Sequence, residues 1–264
     1  MKFWVGMMIP FLGTGLGVAC VFFMKKEIHP AVEKMLLGFA AGIMTAASVW
    51  SLLLPAIQRS KSFGKLAFLP AAVGFLSGIL LLMIPDRLAT RFLENTVKGQ
   101  SSTRKTEKRT IRLLLSVTLH NIPEGLAVGV AFAGTGWLFC KGETKAVALA
   151  EAVALAVGIG IQNIPEGAIV SLPLKAAGTP RGKAFGIGVL SGAVEPLAAI
   201  LTLALAGMVE KALPYLLAFA AGAMILVVVE ELVPEAEHGH NKTLGTLGFT
   251  AGFLIMMILD VALG

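Results

Sequence analysis

Eight long apolar runs, separated by short polar segments, account for most of the chain. None of them alternates apolar and polar residues as a half-buried β-strand does, and each is close to the length that a helix needs to cross a bilayer. Backbone polar groups cannot be left unpaired in lipid, which leaves helices as the assignment. The pattern predicts an all-α, polytopic membrane protein, formed as a single domain over residues 1–264. The predicted spans 1 to 8 cover residues 3–24, 32–57, 66–84, 111–138, 146–173, 181–209, 214–235 and 243–262.

One long polar interruption of this pattern, at residues 87–110, is predicted to be a mobile inner loop. The loop is basic and has no apolar periodicity, which is typical of a cytoplasmic loop in a membrane protein. If both termini lie outside, 15 of the 22 Lys and Arg residues fall on the inner side. The basic residues therefore predict a multi-pass protein of the cell (inner) membrane with both termini outside.

Composition narrows the choice of protein class further. Hydrophobic residues make up 56% of the chain and charged residues 14%, whereas about a quarter of a soluble domain is charged. This balance excludes a disordered chain and a nucleic-acid-binding protein, and it makes the lipid bilayer the expected partner. The two cysteines, Cys20 and Cys140, form no CxxC pair, so neither a disulfide framework nor a thiolate metal site is expected.

Two pairs of spans share sequence, which predicts an internal repeat. Residues Leu36–Met44 of span 2 match Leu216–Met224 of span 7 at seven of nine positions, and residues 74–86 of span 3 resemble residues 248–260 of span 8. Partners that are five spans apart cross the membrane in opposite directions, as in the inverted repeats of many secondary transporters. We expect spans 1–3 and 6–8 to be inverted repeats around a central pair formed by spans 4 and 5.

The central pair contains two copies of one polar motif, HNIPEG at 120–125 and QNIPEG at 162–167, both near mid-membrane. In each copy the first and fifth residues are four apart and share a helical face. The asparagines either bind a ligand there or bond the carbonyls that the neighbouring prolines free. The polar motif residues are His120, Asn121, Glu124, Gln162, Asn163 and Glu166.

Acidic residues lie deep inside the predicted spans, where a carboxylate costs about 2.5–3.5 kcal/mol. No Lys or Arg lies at matching depth, so salt bridges cannot account for them. Carboxylates at close range need protonation or a multivalent cation. With one imidazole and several amide oxygens, they suit a borderline divalent metal such as zinc, iron or manganese. These deep acids are Glu124, Glu166, Glu195, Glu230 and Glu231.

Four residues of span 7 and its inner end are candidates for a metal path. Glu230 and Glu231 are adjacent, so we expect only one of them to face the path. His238 and His240 either receive the exiting metal or form a solvated polar turn.

The paired HNIPEG and QNIPEG motifs make the chain resemble the ZIP family of divalent metal transporters (zinc- and iron-regulated transporter-like proteins), in its compact prokaryotic branch. The resemblance extends over all eight spans. It implies metal uptake toward the cytoplasm, a binuclear site between spans 4 and 5, and in many members a homodimer. It also implies an elevator-like shift of spans 1, 4, 5 and 6 against spans 2, 3, 7 and 8.

Motif matching to the family implies two metals that share Glu124 and Glu166 as bridging ligands. The first metal would be held by His120, Glu124, Gln162 and Glu166, and the second by Asn121, Glu124, Asn163, Glu166 and Glu195.

Three features depart from the family's pattern. Gln162 stands where many members have His, which weakens the first site for zinc. Asn163 replaces an aspartate found in some members, so the second site has one negative charge fewer. The loop between spans 3 and 4 is histidine-rich in many members and has no histidine here.

We therefore expect a transporter of divalent metals, with zinc foremost and iron, manganese, cadmium or cobalt as alternatives. The metal is the cargo, and neither a cofactor nor an enzyme activity is expected. An intramembrane metalloenzyme would need a motif such as HExxH. That motif is absent, and none of Glu151, Glu195, Glu230 and Glu231 has a histidine three residues on. A transporter of a harder cation such as calcium stays an alternative, with His120 arguing against it.

Overall fold

The computed structural model describes residues 2–23, 29–97, 118, 121–135, 145–176, 178–206, 212–239 and 242–263, and all regular structure within these ranges is helical. The all-α prediction is confirmed. The helices are α1 (Lys2–Phe23), α2 (Pro30–Arg59), α3 (Phe68–Val97), α4 (121–135), α5 (Lys145–Ala176), α6 (Arg181–Gly192 and Val194–Ala206), α7 (Leu213–Glu237) and α8 (Lys242–Leu263).

Six of the described helices, namely α1, α2, α5, α6, α7 and α8, are long and apolar enough to cross a membrane. The apolar part of α3, Phe68–Ile84, is shorter than these spans. The structure describes α4 only over 121–135, within the predicted span 111–138. The membrane-spanning, multi-helix architecture is confirmed, and the count of eight spans stays a prediction.

Helix α3 extends further than the sequence pattern predicts. It continues to Val97, so residues 87–97 are helical where the inner loop was expected to begin at 87. This segment lacks Gly and Pro, the two residues that disfavour a helix most. The helix propensity of residues 87–97 therefore explains why α3 continues beyond its apolar part. Residues 98–110 of the predicted loop, like Cys140, lie outside the described residues.

Helices α1, α4, α5 and α6 pack together through glycines. A β-carbon on Gly13 of α1 would lie 2.1 Å from the carbonyl oxygen of Gly160 in α5. A β-carbon on Gly125 of α4 would lie 2.3 Å from the carbonyl oxygen of Glu195 in α6. No side chain fits at such distances, so the glycines are what permits backbone to touch backbone. This close packing places α1, α4 and α6 around the polar middle of α5.

Helices α2, α3, α7 and α8 form two further pairs, α2 with α8 and α3 with α7. A β-carbon on Gly42 of α2 would lie 2.1 Å from the carbonyl oxygen of Phe249 in α8. In the other pair, a β-carbon on Gly222 of α7 would lie 2.1 Å from the carbonyl oxygen of Phe75 in α3. The two pairs thus use the same residue types at positions that are equivalent in the predicted repeat.

Both α2 and α7 contain one π-helical turn, at Ser48–Leu53 and Val228–Leu232 respectively. A proline follows each turn, Pro55 in α2 and Pro234 in α7. Proline has no N–H and crowds the preceding turn, and the wider π turn accommodates this without ending the helix. The predicted path residues Glu230 and Glu231 lie within the second π turn.

Candidate metal site

The polar motif residues of α4 and α5 converge with one residue of α6 in the middle of the bundle. Five of the predicted site residues are at most 1% exposed, although all five are polar or acidic. Glu166 is half-buried beside them. Glu124 interacts electrostatically with both Glu166 and Glu195, so three carboxylates share this region. The five buried residues are Asn121, Glu124, Gln162, Asn163 and Glu195.

A hydrogen bond across the central pair joins the first position of one motif to the fifth position of the other. The side-chain amide of Gln162 donates from Nε2 to Oε1 of Glu124 at 2.7 Å. This bond fixes the amide so that Gln162 Oε1 points elsewhere. The second carboxylate oxygen, Glu124 Oε2, is buried. Neither this oxygen nor Gln162 Oε1 has a hydrogen-bond partner among the residues that the structure describes.

Among the described residues, both asparagines bond carbonyls of other helices; Leu119, whose carbonyl Pro123 frees, lies outside them. Asn121 donates from Nδ2 to the Ser191 carbonyl oxygen of α6 at 3.1 Å. That carbonyl lies just before Ala193, where α6 is interrupted ahead of Pro196. Asn163 donates from Nδ2 to the Pro10 carbonyl oxygen of α1 at 3.4 Å. The asparagines therefore connect helices, a role that the proline-carbonyl interpretation did not include.

Thr14 of α1 is a site residue that the sequence analysis missed. Its hydroxyl is bonded to Glu195 Oε1 at 2.7 Å, and Asn163 Nδ2 donates to the same hydroxyl oxygen at 3.2 Å. The residue is buried. The signal was present in the sequence, because Thr14 is a polar residue between Gly13 and Gly15 in an otherwise apolar span.

Within the described part of the site, four buried oxygen atoms have no hydrogen-bond partner. All four are acceptors, and each costs about 1–3 kcal/mol if it is left unsatisfied. A cation satisfies acceptor oxygens without needing a donor, and carboxylate and amide oxygens are ligands that zinc, manganese and calcium all accept. These atoms are Glu124 Oε2, Gln162 Oε1, Asn163 Oδ1 and Glu195 Oε2.

The acidic residues do not form a metal-binding cluster by themselves. Among the described residues, no three side chains of His, Cys, Asp or Glu are arranged to hold a metal ion. A metal held by the described residues of this site would therefore need the amide oxygens of Gln162 and Asn163 in addition to carboxylates. His120, the predicted imidazole ligand, lies outside the described residues.

The predicted path residues lie apart from this set, on α7 and the turn after it. Glu230 is exposed, and Glu231 is half-buried. His238 is exposed, and its backbone carbonyl accepts a hydrogen bond from Lys34 Nζ of α2. His240 lies outside the described residues. The structure thus leaves the proposed exit role of these four residues as a prediction.

A cavity of about 170 Å³ lies near the C-terminal end of α2 and the N-terminal part of α5. Its polar lining includes Arg59, Glu151 and Asp260, and Ser51 Oγ donates to Asp260 Oδ1 at 2.7 Å. Its lining on α4 ends at Val130, six residues from Glu124, or about 9 Å along a helix. The apolar residues between the cavity and the site are buried. They include Ala127, Val128 and Ile159.

Comparison with known proteins assigns the family. The sequence model of the ZIP Zinc transporter family matches residues 97–260, which is more than half of the chain. The chain is 36% identical to Zinc transporter ZIP11 of Xenopus tropicalis, over 95% of this chain and 94% of that protein. It is 33% identical to Zinc transporter GufA of Myxococcus xanthus over the same shares, 95% and 94%. It is 37% identical to Zinc transporter ZIPB of Bordetella bronchiseptica, over 96% of this chain and 79% of that protein.

The matched region includes both polar motifs and Glu195, and the relatives are similar to the chain over nearly its whole length. Their names support metal-ion transport through the membrane as the activity. The family consists of transporters and not enzymes, which agrees with the expectation from the sequence. The chain belongs to the ZIP zinc transporter family.

Proposed function

We propose that the protein transports divalent metal ions, zinc foremost, toward the cytoplasm by alternating access to the site between α4 and α5. The observation that supports this best is the group of four unpartnered acceptor oxygens at the centre of the bundle. No Lys or Arg lies at this depth to balance the three glutamates. A cation that enters the site satisfies both the oxygens and the charge, and zinc is the metal in the names of the relatives.

The site is proposed to be binuclear, with Glu124 and Glu166 as bridging ligands. Gln162 Oε1 and Glu124 Oε2 would then serve the first metal together with His120 and Glu166. Asn163 Oδ1 and Glu195 Oε2 would serve the second, together with Asn121 and the two bridging glutamates. The hydrogen bonds leave one free oxygen on each of these four side chains, which supports their proposed role as ligands.

Inverted repeats and alternating access are supported by the helix pairing. In the proposed repeat, α2 is equivalent to α7 and α8 is equivalent to α3. The pair α2 and α8 therefore corresponds to the pair α7 and α3, and equivalent glycines make the contacts in both pairs. Gly42 against Phe249 is equivalent to Gly222 against Phe75, and π turns occur in both α2 and α7. We propose that α1, α4, α5 and α6 move as one group against these paired helices, as in an elevator.

The cavity near Arg59 and Glu151 is proposed to be the outer vestibule of the path. The buried apolar residues between this cavity and Glu124 would then separate the site from the outside. We also propose eight membrane spans in the cell membrane, both termini outside, and a homodimer as the assembled form, which follow from the sequence and the family.

Metal uptake into proteoliposomes tests the proposal directly. We expect uptake of zinc in a series that also contains cadmium, iron, manganese and cobalt, with and without a pH gradient. The double variant Glu124→Ala, Glu166→Ala should reduce zinc uptake to the level of empty vesicles, because it removes both bridging carboxylates. The control Glu235→Gln changes an exposed glutamate at the end of α7 and should retain uptake. Wild-type uptake by the double variant would refute the assigned site.

Calcium stays the second candidate cargo because every described donor is an oxygen atom, which a hard cation accepts. Calcium at a concentration equal to zinc should leave zinc uptake nearly unchanged if zinc is the cargo. Inhibition by half or more would favour a transporter of harder cations.

A further inference from the structure

Thr14 joins three helices at the edge of the candidate metal site. It belongs to α1, which contributes none of the predicted ligands, and it contacts one ligand residue on α5 and one on α6. The distances are 3.2 Å from Asn163 Nδ2 and 2.7 Å from Glu195 Oε1. Both ligand residues keep one oxygen without a partner, Asn163 Oδ1 and Glu195 Oε2.

The hydrogen-bonding capacity of one hydroxyl fixes the roles in this contact. A threonine has one O–H to donate, and two acceptors lie near it, Glu195 Oε1 at 2.7 Å and the Pro10 carbonyl oxygen at 3.4 Å. The shorter bond to a carboxylate is the stronger one. The hydroxyl oxygen then accepts from the Asn163 amide nitrogen, which also donates to the Pro10 carbonyl.

This arrangement settles which way the Asn163 amide faces. Both acceptors on α1 are oxygen atoms, so the NH₂ group must face α1 and the carbonyl oxygen must face away from it. If the amide turned over, it would present NH₂ instead of a ligand oxygen to a cation.

Two glycines on the neighbouring helices leave room for Thr14. A β-carbon on Gly192 of α6 would lie 2.7 Å from Thr14 Cγ2, and one on Gly167 of α5 would lie 2.4 Å from the Thr14 carbonyl oxygen. The helices can therefore close around the threonine on two sides. The hydroxyl reaches both ligand residues because neither neighbouring helix has a side chain in the way.

We propose that Thr14 is a positioning residue for metal binding: its hydroxyl orients Asn163 and Glu195 so that each presents a free oxygen to the same cation. The inference rests on the proposed function and deepens it by adding a residue that acts through two ligands. It assigns α1 a part in setting metal affinity. Outer-shell partners of this kind typically change metal affinity or activity by about 10- to 100-fold when they are removed.

The test compares Thr14→Ala with Thr14→Ser, which differ by the hydroxyl alone. Zinc binding to the purified, detergent-solubilised protein is measured by competition with a chromophoric chelator, and uptake is measured as half-saturation concentration and maximal rate. We expect Thr14→Ala to raise the zinc Kd and the half-saturation concentration about 10- to 100-fold. Thr14→Ser should stay within about threefold of wild type, because it keeps the hydroxyl.

Thr202→Val serves as the matched control. Thr202 is also a buried threonine, in α6, but its hydroxyl donates to the Ala198 carbonyl of its own helix at 2.8 Å. We expect wild-type zinc Kd for this variant. Thr14→Val, which keeps the side-chain volume, replaces Thr14→Ala as the test variant if the smaller residue prevents folding, as judged by size-exclusion chromatography.

The outcomes separate this inference from the proposed function. Wild-type zinc Kd in Thr14→Ala or Thr14→Val overturns the positioning role, and so does an equal loss in Thr14→Ser. If the wild-type protein binds and transports no divalent metal, the proposed function itself fails. Loss of zinc affinity that serine rescues supports the inference.

Discussion

At the scale of single residues, the site is defined by oxygen atoms that lack partners. In each of four side chains one polar atom is bonded to the protein and one oxygen is left free. Hydrogen bonds within the protein thus orient the proposed ligands, two of which are amides and two carboxylates. Amide oxygens are neutral and bind a divalent metal more weakly than an imidazole binds zinc.

Gln162→His tests whether the amide limits zinc affinity. An imidazole nitrogen at this position adds a ligand that zinc prefers, and the motif would then match its partner at 120–125. We expect the half-saturation concentration for zinc uptake to fall by about tenfold, while that for manganese, a harder ion, changes less. Metal-resolved uptake measures both.

The control for this variant is Gln162→Ala, which removes the donor to Glu124 and should weaken uptake of both metals. A histidine variant that behaves as the alanine variant does would show that the position does not contact the metal.

Sequence alone predicted the residue types of the site but not the connections between them. The doubled motif and the deep acids identify Glu124, Gln162, Asn163 and Glu195, which the structure brings together. The bond partners could not be predicted, because they depend on how closely α1 and α6 approach α5. Thr14 was missed for this reason, since nothing in its local pattern shows which helix it faces.

At the scale of helices, glycines decide which surfaces touch. In α1, Gly13 lies against the α5 backbone, whereas a β-carbon on Gly15 would meet nothing within 4 Å. Two glycines that are two residues apart in one helix therefore have opposite roles. Gly13 is needed for the close packing of α1 on α5, whereas Gly15 is not needed for packing.

Gly13→Ala should destabilise the bundle, and Gly15→Ala should not. The new methyl of Gly13→Ala would lie 2.1 Å from a backbone oxygen, so α1 must move away from α5, at a cost of about 1–3 kcal/mol. In Gly15→Ala the methyl points into open space, and alanine is the better helix former by about 1 kcal/mol. Thermal unfolding of the purified protein, followed by fluorescence-detected size exclusion, should show a lower Tm only for Gly13→Ala. Equal Tm values would contradict the assigned packing.

Helix boundaries were largely predictable, and the exceptions have physical causes. Prolines and basic residues mark the start of α2, α6 and α8, and the observed ends lie close to the predicted ones. The continuation of α3 to Val97 was not predicted, because a hydropathy pattern detects only the apolar part of a helix. The helix itself continues into a polar segment. The interruption of α6 at Ala193 and the two π turns need the backbone hydrogen bonds, which the sequence does not specify.

At the scale of the whole molecule, the helices divide into two sets with different construction. One set surrounds the site and packs α1, α4 and α6 on α5, and the other pairs α2 with α8 and α3 with α7. The distribution of Lys and Arg along the sequence predicts the orientation of the molecule in the membrane. The proposed topology places residues 61–66, between α2 and α3, outside, and the start of α6 inside.

Single cysteines introduced at the two ends of the bundle test this orientation. In a variant without Cys20 and Cys140, Ser62→Cys should react with a membrane-impermeant maleimide on intact cells. Lys183→Cys should react only after the membrane is permeabilised. Both positions are exposed in the structure, so accessibility to the reagent does not limit either reaction. The reverse labelling pattern would invert the topology and with it the direction of uptake.

The contact between α1 and α5 also bears on the insertion of α1 into the membrane during synthesis. The ribosome delivers α1 to the membrane long before α5 and α6, the helices that carry the final partners of Thr14. Until then its hydroxyl can donate to the Pro10 carbonyl, which lies one turn back in the same helix and 3.4 Å away in the folded protein. That bond satisfies the Thr14 hydroxyl while α1 is still surrounded by lipid. Proline and threonine four residues apart thus suit α1 both to early insertion alone and to its later place beside the metal.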